Sequence, residues 1–144
     1  MKTTTLAFGL AMALAAGAAS AEPAMKVAIH VDEQDIQTMV MALNNAANIQ
    51  KYYADKGEEV QIEIVAYGPG LHMFRKDTSP VADRIEMMAM ESDSIAFSAC
   101  LNTVESMERK EDKDVPLLDE VAVTPSGAVR LIELQKEGWT YLRP

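Results

Sequence analysis

Apolar positions along this chain follow two alternating rhythms. Short continuous runs, "KVAIHV" (26–31), "VQIEIVAY" (60–67), "SIAFSAC" (94–100) and "EVAVT" (120–124), predict strands buried on both faces. Between the first two, Ile36, Met39, Val40, Leu43, Ala46, Ala47 and Tyr53 recur at helical spacing, with Asp32 as candidate cap and Gly57 as terminator. "VADRIEMMAM" (81–90) predicts a second helix behind Pro80. A third follows the third strand, with Asn102 as cap and Glu105 three residues on, as in a capping box. A fourth takes Thr124 as cap and Pro125 as first helical position, reaches about Glu137 and ends at Gly138. "GPGLHMFRKDTSP" (68–80) reads as a loop with at most one helical turn, and "WTYLRP" as a short last strand.

Strands that alternate with helices need long crossovers, which suit parallel pairing. The expected fold is α/β: a three-layer α/β/α sandwich around a mostly parallel sheet of about five strands. In such sheets ligands and chemistry gather beyond the carboxyl ends of the strands.

The amino terminus does not fit this alternation. Lys2, an apolar run from Leu6 to Ala18 and Ala19-Ser20-Ala21 have the plan of a secretory signal cleaved after Ala21. The run is short and alanine-rich for a membrane anchor. The expected organisation is a signal peptide over 1–21 and a single domain over 22–144, periplasmic or otherwise exported, with no membrane association after cleavage. Removing residues 1–21 from the 144 leaves 123, enough for one core, and moves the formal charge from −9 to −10. An acidic chain with no basic run repels nucleic acid and anionic lipid.

The chain has one cysteine, Cys100, so it forms no internal disulfide. The thiol stands at the carboxyl end of the third strand, just before a helix start, whose free amides favour an anion. Two readings stay open: an activated thiol, or a small buried hydrophobe. Asn102, Thr103 and the amides after them are the groups placed to stabilise a thiolate. His30 and His72 fall near the same sheet edge. They are candidates to activate the thiol, bind a substrate or hold a soft metal, or His30 is simply a hydrogen-bonded strand residue. Their spacing carries no metal signature, and no metal or other cofactor is expected. "TPSGAV" (124–129) offers a second helix start, where the amides at Ser126 and Gly127 either receive an anionic group or serve ordinary capping. Met73, Met87, Met88 and Met90 raise a copper reading, but three of them share a helix and cannot all face one way. The glycines of "YGPGLHM" are no dinucleotide fingerprint, since Met73 stands where a third glycine belongs.

With these parts in place the chain resembles the DsrE/DsrF-like family, over about Lys26 to Pro144. The resemblance rests on "ACLNT" (99–103), "VAYGPGLHM" (65–73), "NNAAN" (44–48) and "PSGAVRLIELQKEGWTYLRP" (125–144). Leu101 stands where that family commonly has glycine. The resemblance implies the same α/β/α sandwich and homo- or hetero-oligomeric assembly. It also implies a sulfur-carrier role, with sulfane sulfur held as a persulfide on Cys100 and exchanged with a donor or acceptor protein or a small sulfur compound. The rival expectation is a non-catalytic binding or assembly module with Cys100 buried, and a weaker one is a soft-metal (copper) binder.

The signal reading has a direct test. Amino-terminal sequencing of the exported protein should begin at Glu22, and recovery of an intact Met1 form held in the membrane would overturn it.

Overall fold

A computed structural model describes residues 25–144; the expected signal segment lies outside them. The chain runs β1 (Met25–Val31), α1 (Ile36–Asp55), β2 (Val60–Ala66), a 3-10 segment (Gly68–Phe74), α2 (Ala82–Glu91), β3 (Ile95–Cys100), α3 (Leu101–Glu111), β4 (Val121–Thr124), α4 (Gly127–Lys136) and β5 (Thr140–Leu142). The five strands form one sheet in the order β4-β3-β2-β1-β5, and every pairing is parallel. The chain steps from β1 to β4 in one direction, then returns past β1 to add β5 on the far side. Right-handed crossovers therefore place α1, α2 and α3 on one face and α4 on the other. The result is the expected three-layer sandwich.

The pleat divides the core in two. Val27, Ile29 and Val31 of β1, Ile62 and Ile64 of β2, and Phe97 and Ala99 of β3 pack with Met39, Leu43, Ile85 and Val104 from α1, α2 and α3. The alternate residues Ala28 and Val65 meet Leu131 and Leu134 of α4, with Tyr67 and Trp139 at the margins. His30, Glu63, Ser98 and Cys100 have the same strand parity as Ala28 and Val65, so they belong to the α4 face. There, Glu63 accepts from Ser98 Oγ at 2.7 Å and from Arg130 Nε at 2.9 Å, and its other oxygen accepts from Arg130 Nη2 at 2.7 Å.

Three helix starts differ from the expectation. Asp35 caps α1, accepting from Thr38 N at 2.9 Å. Asp32 is instead bound to Arg143 at 3.0 Å. Thr124 stays in β4, paired with Cys100, so the cap of α4 moves to Ser126 and Pro125 remains outside the helix. Asn102 lies inside α3, because the helix begins directly after the strand and Cys100 itself takes the cap position. Glu105 completes no capping box; it faces Arg109 at 3.8 Å.

The stretch expected to be a loop carries two devices that fix it. A Cβ on Gly70 would lie 2.3 Å from the Val31 carbonyl oxygen, so only glycine lets the 3-10 segment sit against the end of β1. Arg75 is 1% exposed, and its guanidinium binds Asp77 and Glu111. Its hydrogen bonds hold the Glu111 carboxyl down at about 2. This ion pair ties the 3-10 segment to the end of α3 and sets the spacing between them.

Candidate functional site

Cys100 is 5% exposed and occupies the residue between β3 and α3, with φ −76° and ψ 115°. At a helix start this residue normally offers an oxygen to the first free amides; here the side chain is sulfur. Its side chain makes no capping hydrogen bond to α3. The groups around it favour its anion. Burial pushes the thiol pKa up, but the Thr103 hydroxyl and the N–H groups of Gly127, Thr103 and Asn102 outweigh that, and the net value lies below an ordinary thiol.

These donors come from two helices. Asn102 and Thr103 belong to the first turn of α3, and Gly127 is the first residue of α4. The approach of α4 is close: a Cβ on Gly127 would lie 2.9 Å from Tyr67 Cδ1 and 3.2 Å from Cys100 Cβ. Ser126 caps this helix through Val129 N at 3.5 Å, so its hydroxyl serves the helix while the Gly127 amide serves the sulfur. The Asn102 N–H also reaches the Pro125 carbonyl at 3.4 Å, joining the two helix starts. Thr103 Oγ1 accepts from Gly68 N at 3.0 Å. That bond occupies an acceptor site and leaves the hydroxyl proton for Cys100.

The histidines separate. His30 is 6% exposed on the α4 side, with Nδ1 2.7 Å from the Tyr141 hydroxyl. Its ring stacks on Tyr67 at 4.6 Å. Burial lowers its pKa, Asp32 raises it and Arg143 lowers it; the net is downward, which keeps the imidazole neutral at pH 7. Its Nε2 is buried without a hydrogen-bond partner, 3.9 Å from Asp32 Oδ2. His72 instead lines a cleft of about 500 Å³ against α3, together with Asn102 and Thr103. Neither imidazole is hydrogen-bonded to Cys100. Tyr67 intervenes on the α4 side, stacked on His30 and packed where α4 begins.

Of the sequence candidates, Asn102, Thr103 and Gly127 gather directly at Cys100, Ser126 supports from one residue away, and His72 borders the adjoining cleft. The sequence reading missed Tyr67 and Gly68. Both lie in the quoted "VAYGPGLHM", and Tyr67 directly follows β2 at the carboxyl edge. Among the described residues no group of three or more His, Cys, Asp or Glu is arranged to hold a metal. The thioethers do not converge either: Met73 and Met88 are buried, while Met87 and Met90 are exposed. No described helix is long and apolar enough to cross a membrane.

Fold and site together define a parallel α/β domain of five strands whose one cysteine stands at the carboxyl edge of the sheet, between two helix amino termini. The family model of the DsrE/DsrF-like family matches residues 4–144, and the chain belongs to that family. A solved structure of a protein of unknown function from Methanobacterium thermoautotrophicum is similar, with 31% identity and a TM-score of 0.71. The similarity covers 83% of this chain and 99% of that one. Comparison with curated proteins returned no match.

The donor set predicts how the thiol responds to substitution. Its alkylation rate against pH should show a midpoint below that of a free thiol. Gly127→Ala should move the midpoint up by pushing α4 away, at a cost of about 1–3 kcal/mol in stability from overpacking. Thr103→Val should also raise it, and Thr103→Ser should restore it. An unchanged midpoint in both Gly127→Ala and Thr103→Val would show that these donors do not govern the sulfur.

Proposed function

We propose that this chain is an exported sulfur carrier that holds sulfane sulfur as a persulfide on Cys100. The observation that carries the reading is the convergence of two helix starts and the Thr103 hydroxyl on one unpaired, acidified sulfur. A thiolate is the nucleophile in thiol–disulfide and sulfane-sulfur exchange. It attacks the outer sulfur of a donor, the donor S–S bond breaks, and the bonding electron pair leaves with the donor thiolate. The persulfide so formed is itself an anion near neutral pH, and the same donors stabilise it. With no second cysteine in the chain, the sulfur passes to or from another molecule. Family membership and the strand-end position of Cys100 support the same role.

A second reading is favoured by one observation: Cys100 is almost fully covered. On that reading the chain is a binding or assembly module and the cysteine fills a tight junction. Sulfur loading separates the two. Wild-type protein exposed to polysulfide should gain mass in whole sulfur atoms, lost again on reduction, and Cys100→Ser should fold normally and gain none. A native thiol that resists alkylation until unfolding, with no sulfur adduct, would leave the module reading standing.

The proposal includes self-association. Val129 and Ile132 of α4 and Val123 on edge strand β4 are each about half exposed. Light scattering at micromolar concentration should give more than one chain per particle; a clean monomer would remove this part of the proposal.

A further inference from the structure

The cleft along α3, which adjoins the sulfur site through Asn102 and Thr103 and does not itself include Cys100, has a volume of about 500 Å³, within the range of small-molecule sites and large for an inorganic anion. Its wall shares Asn102 and Thr103 with the sulfur site. Four further polar side chains converge on it: Gln34 from the turn before α1, His72 from the 3-10 segment, and Ser106 and Lys110 from α3. These four and Asn102 have no side-chain hydrogen bond or ion pair among the described residues. Other cations are committed elsewhere: Arg130 to Glu63, Arg143 to Asp32 and Glu33, and Arg75 to Asp77 and Glu111. Glu111 also borders the cleft, but Arg75 and Lys113 together balance it and Asp77. Lys110 is thus an uncompensated charge on the cleft wall, in a chain whose net charge is −9. Pro69 and Met107 add an apolar surface.

A cation, an imidazole, two amides and a hydroxyl around an open volume suit a small organic anion with a carbon skeleton. We propose that the cleft binds a carboxylate-bearing, low-molecular-weight organic persulfide, R–S–SH, and presents it to Cys100 across Thr103. The carboxylate pairs with Lys110 and accepts from Ser106 or an amide, and the carbon skeleton rests on Pro69 and Met107. This inference rests on the carrier reading and adds the chemical class of the donor. The Cys100 thiolate attacks the outer sulfur of R–S–SH and forms a new S–S bond. The bond to the inner sulfur breaks, R–S⁻ leaves with its electron pair and takes a proton from solvent, and Cys100 carries –S–SH. One sulfane sulfur changes hosts, and no oxidant or reductant is consumed.

Two measurements test the cleft and the carrier role separately. The first is calorimetric titration of Cys100→Ser protein with reduced glutathione, a carboxylate-bearing probe that has no sulfur to give. Binding should be saturable, weaken about tenfold when Lys110→Met is added, as loss of one charge-assisted contact implies, and return with Lys110→Arg. The second is intact-mass loading of Cys100 from glutathione persulfide and from inorganic tetrasulfide. The ratio of organic to inorganic loading rate should fall about tenfold in Lys110→Met. Absent binding, or binding and loading ratios indifferent to Lys110→Met, would overturn the cleft proposal, and loading from tetrasulfide would still stand for the carrier. Binding without loading from either donor would defeat the carrier reading and the donor assignment with it.

Discussion

The paired hydrogen bonds between Arg130 and the buried Glu63 fix α4 on its face of the sheet. Glu63 projects from the middle of β2 into the buried layer beneath α4, where an unpaired carboxylate would be expensive. Arg130 and Ser98 meet it with three short bonds, at 2.7, 2.9 and 2.7 Å. Arg130 lies one helical turn from Gly127, so the pair sets the height and rotation of the turn that offers its amide to Cys100. The apolar contacts of this face, Leu131 and Leu134 on Ala28 and Val65, are few and adaptable. The ion pair is directional and resists sliding. Glu63 and Arg130 therefore act as positioning residues for a sulfur they do not touch.

The opposite helix start is held differently. No ion pair fixes the first turn of α3; it follows directly from β3 with no intervening loop, and Thr103 is pinned by the Gly68 amide. Gly68 opens the 3-10 segment, whose other end Arg75 clamps to the end of α3. The cleft wall and the sulfur donors thus belong to one braced unit.

Much of this was legible in the chain. Continuous apolar runs spaced by helical periods dictate a parallel sheet, and that alone places Cys100 at the edge where helices begin. The helix starts were read less well, because Asp32 and Thr124 are good caps by type but were already engaged, one with Arg143 and one in the sheet. Local preference yields when a tertiary partner competes for the same group. The association of Thr103 with Gly68, and of Gly127 with Tyr67, joins residues far apart in sequence and leaves no periodic trace. Glu63 did leave a signal, since an acid within a strand buried on both faces requires a partner; the partner's identity had to come from the fold. His30 and His72 reach the same edge, yet strand parity assigns His30 to the α4 layer and the 3-10 segment carries His72 toward α3.

β5 follows the other described strands along the chain, and it pairs with β1, the first of them, through Val27, Ala28 and Ile29. Without β5 and Arg143 in place, β1 is a bare sheet edge among the described strands, His30 lacks the Tyr141 hydroxyl, and Asp32 and Glu33 lack Arg143. A chain lacking β5 therefore exposes the outer edge of β1, the kind of edge that recruits other chains. Closure of the sheet on this side therefore depends on residues 140–143, and a chain cut before them would keep that border unfinished.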